Sequence, residues 1–226
     1  KELNMCPKAL STHIADLPLA VVLPHMYGVA ADIIEIENLH RQILFDESDV
    51  GRHKAIVAGE KIKKLHPYVN IEVFNKAIDY ENVTSIISDY DVIVDGSDNF
   101  ATRYLVNDAC VLLNKPVIYG AISQYEGQVA VFNVQQNNEH SANYRDLFPH
   151  PPKEGEVLNC AEAGVLGVLP GIIGSMMANE TIKLITGTGV LLANKLFTYN
   201  TLNNQTLSLI SEGDLPYSFL KILVLK

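Results

Sequence analysis

Cysteine is scarce in this sequence: its 226 residues include only Cys6, Cys110 and Cys160, and no two of them form a Cys-x-x-Cys pair. Three isolated thiols cannot build a disulfide framework, and the lack of paired cysteines argues against a structural zinc site. Residues 1–7 also lack the basic and then apolar pattern of a signal peptide. We therefore expect a protein of the reducing cytoplasm that binds no zinc.

Arginine is scarce as well, because only four of the 17 basic residues are arginine, and 26 acidic residues bring the net charge to −9. Nucleic-acid binding needs clustered basic side chains, so this composition argues against DNA or RNA as a partner.

One uncharged stretch needs comparison with a membrane span. Residues 163–179 contain Pro170 and four glycines and are at the lower limit of length, so we interpret them as a buried helix and expect no membrane insertion.

The sequence is rich in apolar segments that alternate with helical patterns, and 48% of its residues are hydrophobic, enough for a full core. The predicted strands are 32–36, 70–75, 91–94 and 116–119, and the predicted helices are 49–65, 81–89 and 100–113. Strands and helices repeated at this spacing predict an α/β fold with a Rossmann-like, mainly parallel sheet flanked by helices.

The pattern changes after Gly120. A strand over 127–134 precedes a polar stretch, 135–156, in which no element is clear. A glycine-rich helix then runs to Ile185, and its glycines at 164, 167, 171 and 174 share one face, which predicts close packing. The segments 196–199 and 205–210 predict a hairpin, so the sheet gains a C-terminal antiparallel extension.

Charged side chains follow the predicted strands, where open α/β sheets bind ligands. Arg41 and Lys54 are cations suited to phosphate contacts, and Asp98 stands at a strand-to-helix turn. Taken singly, Asp98 is equally typical of a helix cap, and the two cations are typical of a solvated surface. Together they favour a site for a magnesium nucleotide, where charge on a transferring phosphoryl or nucleotidyl group is stabilised.

Several spaced motifs carry a family resemblance. In chain order they are 38–45 (NLHRQILF), 49–54 (DVGRHK), 94–100 (VDGSDNF) followed by Arg103, 127–132 (GQVAVF), 144–149 (YRDLFP) and 160–167 (CAEAGVLG). In this order they resemble the ThiF/MoeB/HesA family of adenylyltransferases, which are related to ubiquitin-activating enzymes. The resemblance covers about residues 32–210.

The resemblance implies ATP and Mg²⁺ as cofactors and a small ubiquitin-like sulfur-carrier protein as partner. The carboxylate of the carrier's Gly-Gly tail would attack the α-phosphate, giving an acyl-adenylate and pyrophosphate for thiamin or molybdopterin synthesis. It also implies a homodimer. We expect one adenylation domain over 1–226, with the nucleotide-binding half at 1–120, and with the crossover loop, the glycine-rich helix and the antiparallel strands at 121–226.

The resemblance also assigns site residues. Arg41 and Lys54 would contact ATP phosphates, and Asp98 would hold Mg²⁺ or act on the phosphates. The remaining implied residues are Asn38 and Gln42 lining the site, Asp32 at the ribose hydroxyls, and Asn99 and Arg103 in support.

Cys160 stands in the family's Cys-x-x-x-Gly position, just before a predicted helix. A thiol near a helix N-terminus can have a lowered pKa, and the resemblance implies a covalent link to the carrier there. Cys160 therefore joins Arg41 and Asp98 as a candidate catalytic residue. The competing interpretation is a small buried residue, which we expect of Cys110 in its apolar run.

The sequence departs from the family in two places. Relatives carry two cysteine pairs that bind zinc, but 143–146 and 198–209 contain no cysteine, so we predict none bound. The family's Gly-rich phosphate turn is missing as well, since no glycine precedes Gly28. Either that segment lies outside this sequence or part of the nucleotide site is lost, and we expect the former.

Three alternatives remain open. The first is a degenerate, non-catalytic carrier-binding subunit, favoured by the missing turn and opposed by the retained Arg41, Lys54 and Asp98. The second is a tRNA threonylcarbamoyladenosine dehydratase of the same superfamily, opposed by the net charge of −9. The third is an NAD-dependent dehydrogenase, which lacks its G-x-G-x-x-G signal here.

Overall fold

The computed structural model describes residues 32–136, 139–152 and 164–210. A five-stranded sheet with the order β1-β2-β3-β6-β7 forms the centre, beside a small β4-β5 ribbon. The strands are β1 (Ile93–Asp95), β2 (Val117–Ser123), β3 (Glu126–Phe132), β4 (Gln135–Gln136), β5 (Glu139–His140), β6 (Lys195–Asn200) and β7 (Gln205–Ile210). The helices are α1 (Lys54–Leu65), α2 (Val83–Ser88), α3 (Phe100–Leu112), α4 (Tyr144–Leu147) and α5 (Leu169–Thr186).

The sheet is mixed, which confirms the α/β class. Strands β1 and β2 pair in parallel through the α3 crossover, with Ile93 opposite Val117, whereas β2-β3, β3-β6 and β6-β7 pair antiparallel. The expected C-terminal hairpin is β6-β7. Among the described strands, then, the antiparallel pairings outnumber the parallel one.

Two predicted strands do not form. The backbone of 32–36 pairs only briefly: the amide of Ile34 donates to the Arg52 carbonyl at 2.9 Å, and the amide of Gly51 donates to the Ile34 carbonyl at 2.8 Å. Residues 70–75 have no strand structure. Their apolar side chains lie against α1 instead, since a Cβ added at Gly59 would be 2.5 Å from Val73 Cγ2. The alternation of apolar residues over 70–75 therefore reflects packing against α1.

Helix α1 begins five residues later than predicted. Residues Glu47–Asp49 form a 3-10 turn that is capped by Asp46 rather than by Ser48 or Asp49. Gly51 then has a φ of +85°, in the left-handed region that ends helical geometry. Lys61 binds Asp46 at 2.6 Å and also Asp49, and it lowers the pKa of Asp46 to about 2. This pairing ties the turn to α1.

Helices cover both faces of the sheet because successive strand residues point to opposite sides. Val117 and Tyr119 of β2 pack with α2, α3 and α4, while Ile118 between them packs with α5. Cys110 belongs to the first of these cores and is fully buried, as expected, and burial raises the pKa of its thiol to about 12.

Helix α5 forms in the region where a buried helix was predicted and is buried along one face, with Leu169, Ile173 and Met177 in the core. Its close contacts use glycines of the strands: Cβ atoms added at Gly120 and Gly127 would lie 2.1 Å from Met177 Sδ and 2.3 Å from Ile173 Cδ1. A Cβ added at Gly171, by contrast, would meet nothing within 4 Å. No helix in the described ranges is long and apolar enough to cross a membrane.

The stretch 135–156 is more ordered than predicted, at least up to residue 152. It contains β4, β5 and α4, and α4 begins with a capping box in which Asn143 and Asp146 satisfy each other's backbone amides. Arg145 forms a bidentate ion pair with Asp108 of α3, with its Nη2 2.6 Å from Oδ2. These contacts hold α4 against α3.

Candidate active site

The site is built around the turn between β1 and α3, at the carboxyl end of the parallel strand. Asp95, the last residue of β1, accepts a hydrogen bond from the Ser97 amide at 2.8 Å. Asn99 caps α3, since its Oδ1 accepts from the Thr102 amide at 2.8 Å. Because Asn99 is the cap, the Asp98 carboxylate is not needed to cap α3 and is available to a ligand.

Unpartnered polar atoms concentrate at this turn. In the described part of the chain, the buried side-chain polar atoms without a hydrogen-bond partner are Gln42 Oε1, Ser97 Oγ, both carboxylate oxygens of Asp98, and Asn99 Nδ2. Each such atom costs roughly 1–3 kcal/mol when it stays unpaired. Three consecutive residues in this state indicate a surface built to bind something polar.

Asp98 is partly buried, and burial raises the pKa of its carboxyl. The positive charges of Arg103 and Lys54 act in the opposite direction, and the negative charge of Asp32 adds to the rise. Asp32, Lys54, Asp98 and Arg103 therefore share one electrostatic neighbourhood.

Lys54 and Asp32 form an ion pair, with Nζ 2.6 Å from Oδ2. The Lys54 side chain is only 8% exposed, and its backbone amide donates to the Asp32 carbonyl at 2.9 Å. Lys54 is the first residue of α1, so the start of that helix fixes both groups. A phosphate approaching Lys54 meets the Asp32 carboxylate as well.

Asn38 and Arg41 lie in a different setting. The Asn38 side chain is buried and its Oδ1 accepts from the Glu35 amide at 3.1 Å, which closes a 3-10 turn. Arg41 Nη1 donates to the Glu37 carbonyl at 3.0 Å. Arg41 also lines an open groove of about 830 Å³ beside the first turns of α5. We refer to this space as the α5 groove.

Ser97 is the residue that the sequence analysis missed. Its hydroxyl is unpartnered and the residue is 1% exposed. Its place in the Gly96-Ser97-Asp98 turn is the only signal in the sequence, and serine is common in such turns. Cys160 and Cys6 lie outside the described residues.

The donor set fits a metal that arrives with a ligand. No group of three or more His, Cys, Asp or Glu side chains in 32–136, 139–152 and 164–210 could hold a metal by itself. Mg²⁺ does not need one, because it keeps several waters and takes one or two carboxylates plus phosphate oxygens. The unpartnered Asp98 carboxylate suits that role, and Asn99 Nδ2 and Lys54 Nζ can donate to phosphate.

The fold and the site define the class: an α/β domain with helices on both faces of the sheet and a ligand site at the carboxyl end of a parallel strand. Within this class the chain belongs to the ThiF family, which it matches over residues 29–214.

Named relatives agree with the family. Over 175 residues the chain is 50% identical to the sulfur carrier protein adenylyltransferase of Thermus thermophilus, covering 77% of this chain and 65% of that protein. It is 47% identical to a probable molybdopterin-synthase adenylyltransferase of Pyropia yezoensis, covering 77% of this chain and 45% of that protein. The chain thus spans between about half and two thirds of these two relatives.

Solved structures show the same fold at low identity. The E. coli MccB structure with MccA has a TM-score of 0.69 and 18% identity, covering 92% of this chain and 60% of that one. The PaaA structure has a TM-score of 0.66 and 17% identity, covering 91% and 76%.

Proposed function

We propose that this chain carries the adenylation domain of a sulfur-carrier adenylyltransferase, which uses ATP and Mg²⁺ to activate the C-terminal carboxylate of a small ubiquitin-like protein. The observation that carries the proposal is the group of unpartnered polar atoms at Ser97, Asp98 and Asn99. Membership of the ThiF family and the names of the two relatives support the reaction class.

In the proposed reaction an oxygen of the carrier's carboxylate forms a bond to the α-phosphorus. The bond from that phosphorus to the bridging oxygen breaks, and pyrophosphate leaves with the electron pair. Both reactants are anions, so the chain must reduce their repulsion. Lys54 would do so at the phosphates, and Asp98 would hold the Mg²⁺ that neutralises them.

The remaining candidate residues have separate roles in the proposal. Arg41 would reach the phosphates from the α5 groove, while Gln42 and Asn38 would line the same side. Asp32 would bind the ribose hydroxyls after exchanging its contact with Lys54 for one with the nucleotide. Cys160 stays a prediction, as the thiol that would link covalently to the carrier.

We also propose that the protein is a homodimer that covers the α5 groove with a second copy. Ile43 at its edge is 91% exposed, and the groove continues along apolar side chains of α5 such as Ile172 and Met176. Gly171 and Gly174 leave a flat strip with no neighbour within 4 Å. Such a surface costs free energy in water and favours burial.

Light scattering tests the dimer. The wild-type chain should have twice its 24.9 kDa mass, and Ile43→Glu should reduce that to one copy. Tyr68→Glu is the matched control, because Tyr68 is 99% exposed and lies away from the groove residues. A monomeric wild type, or an Ile43→Glu protein that stays dimeric, would contradict this interface.

ATP–pyrophosphate exchange with a Gly-Gly-tailed carrier tests the function itself. Asp98→Asn should reduce carrier-dependent exchange by about 100-fold or more, since it removes a charge from the reacting centre. Asp91→Asn is the control, because Asp91 is an exposed carboxylate near the other end of β1. A wild-type protein without carrier-dependent exchange would favour the degenerate carrier-binding subunit.

A tRNA dehydratase remains the alternative from the same superfamily, and no observation in the structure favours it. Exchange that depends on a modified tRNA instead of a carrier protein would identify it. The acidic composition, with its net charge of −9, argues against a tRNA-binding surface.

A further inference from the structure

Arg103 is a buried cation that has no role of its own in the proposed reaction. It lies on the first turn of α3 and is 8% exposed. Its Nε and Nη2 both donate to the carbonyl oxygen of Ser97, at 3.0 and 2.8 Å. The guanidinium therefore binds the backbone of the turn that carries Asp98.

Aromatic rings hold Arg103 in place. Its guanidinium carbon is 5.5 Å from the ring centroid of Phe100 and 5.6 Å from that of Tyr119. Tyr144 packs on Tyr119 with a centroid distance of 5.4 Å. Rings on two sides restrict the side chain to one orientation, and cation–π attraction offsets part of the cost of burying its charge.

The backbone of Ser97 is consequently fixed at both of its polar atoms. Asp95 accepts from the Ser97 amide at 2.8 Å, and Arg103 donates to the Ser97 carbonyl. The Asp98 carboxylate has no hydrogen-bond partner of its own in the described structure. The position of the Asp98 carboxylate is therefore set by the backbone of Ser97, the preceding residue.

We infer that Arg103 is a positioning residue, which holds the Ser97–Asp98 turn so that the Asp98 carboxylate meets the metal–nucleotide in a single geometry. The inference rests on the proposed function and deepens it. Misplacing a reacting group by about 1 Å costs about 100-fold in rate, and loss of an outer support of a metal ligand typically costs 10- to 100-fold in metal affinity or activity.

Two variants and one control separate positioning from folding. Arg103→Met removes both hydrogen bonds at similar volume, whereas Arg103→Lys keeps the charge and one donor. Arg145→Gln is the control: Arg145 also stacks on a ring, 4.7 Å from the Tyr104 centroid, and pairs with Asp108, but it does not contact the Ser97 turn.

The readouts are the affinity for a non-hydrolysable ATP analogue, with Mg²⁺ and with EDTA, and kcat and KM for ATP in pyrophosphate exchange. For Arg103→Met we expect the Mg²⁺-dependent gain in affinity to fall by about tenfold or more. Affinity in EDTA should stay within about twofold, because the protein's other phosphate contacts are unchanged. The kcat should fall by about 100-fold, and KM for ATP in the presence of Mg²⁺ should rise in step with the lost Mg²⁺-dependent affinity.

Arg103→Lys should recover part of the lost kcat, and Arg145→Gln should match wild type in every readout. The inference is overturned if Arg103→Met retains the Mg²⁺-dependent gain and a kcat near wild type, or if both affinities fall in parallel. If Arg103→Met does not fold, Arg103→Lys decides: a lower kcat with a wild-type melting temperature and unchanged affinity in EDTA supports the inference, and an unchanged kcat overturns it. A wild-type protein that binds no nucleotide overturns the proposed function, and the inference with it.

Discussion

The ammonium nitrogen of Lys54 lies 2.6 Å from the Oδ2 of Asp32, and the backbones of the two residues are also joined by a hydrogen bond. Both groups are proposed to bind ATP, Asp32 at the ribose and Lys54 at the phosphates. Without a ligand they neutralise each other, so the site does not hold an unpaired buried ammonium. ATP must redistribute this pairing, because the phosphates compete with Asp32 for Lys54.

Replacing Lys54 tests its place at the phosphates. Lys54→Met should weaken nucleotide binding and lower exchange by about 100-fold, since a charge-assisted phosphate contact is lost. Lys61→Met is the control on the same helix, because Lys61 pairs with Asp46 and Asp49 at the surface. Lys61→Met should lower the melting temperature slightly and leave exchange intact. Equal losses of exchange in the two variants would contradict a phosphate role for Lys54.

Asp98 should cost the unliganded protein stability. Burial raises the pKa of its carboxyl, so the folded state loses stability as pH rises from the unfolded value of 3.8 through the folded one. Asn does not titrate, and Asp98→Asn should therefore stabilise the fold by about 1 kcal/mol at pH 8, a melting temperature gain of about 2–4 °C.

The same comparison made from pH 8 down to pH 4 checks the cause. The difference between Asp98→Asn and wild type should shrink toward zero as the Asp98 carboxyl becomes protonated in both states. A constant difference at all pH values, or a less stable variant at pH 8, would show that burial of the carboxylate is not the dominant effect.

The sequence predicted the elements whose signals are local. Helix α3 forms within one residue of its expected end, because Asn99 supplies a cap and an apolar stripe follows it. The β6-β7 hairpin forms where Asn203 and Asn204 interrupt two β-rich runs. In these places local chemistry and tertiary packing agree.

The errors arise where packing overrides a local pattern. The alternation of apolar and polar residues over 70–75 predicts a strand. In the structure Val73 instead packs against α1 at Gly59, where the lack of a side chain leaves room for it. The glycines at 164, 167, 171 and 174 predict close packing, yet of these four only Gly167 is tightly packed, and α5 approaches the sheet at Gly120 and Gly127 instead. Periodicity shows which residues share a face, but not which neighbour that face meets.

In the candidate site, too, the sequence predicted some features and could not predict others. Motif spacing predicted one site for Lys54, Asp98 and Asp32, and in the structure the charges of Lys54 and Asp32 both act on the Asp98 carboxyl. The sequence could not reveal that Ser97 is buried without a partner, because burial depends on the whole fold. The sequence also could not show that Arg103 donates to the backbone carbonyl of Ser97 rather than to a carboxylate of this turn.

Gly167 should be sensitive to a single added methyl group. A Cβ there would lie 2.6 Å from the His40 carbonyl oxygen, a backbone atom that cannot move without moving Arg41. Gly167→Ala should cost about 1–3 kcal/mol by overpacking and lower exchange through Arg41. Gly171→Ala has no neighbour within 4 Å and should leave the monomer's fold intact, or stabilise it by about 1 kcal/mol through helix propensity.

The two glycine variants also separate the nucleotide site from the proposed dimer. Gly171→Ala adds a methyl group to the α5 groove, so it should weaken the dimer in dilution experiments without lowering the monomer's melting temperature. Thermal unfolding of both variants, with mass measured at several concentrations, checks this. If Gly167→Ala melts like wild type, the 40–41 segment does not press on Gly167 as the structure indicates.

Ser97 offers the sharpest contrast between a side chain that serves the fold and one that serves a ligand. Its hydroxyl is buried and unpartnered, so Ser97→Ala removes an unsatisfied polar group and should raise stability by up to about 1 kcal/mol. Nucleotide affinity should fall by about five- to tenfold, the value of one neutral hydrogen bond.

Ser141 is the matched control, because its buried Oγ accepts a hydrogen bond from the Val134 amide at 2.9 Å. Ser141→Ala should lower the melting temperature and leave nucleotide affinity unchanged, because the amide it leaves unpaired is part of the fold. Opposite signs in stability, with a binding loss only at Ser97, are the expected pattern, and a Ser97→Ala protein that is less stable but binds normally would assign its hydroxyl to the fold.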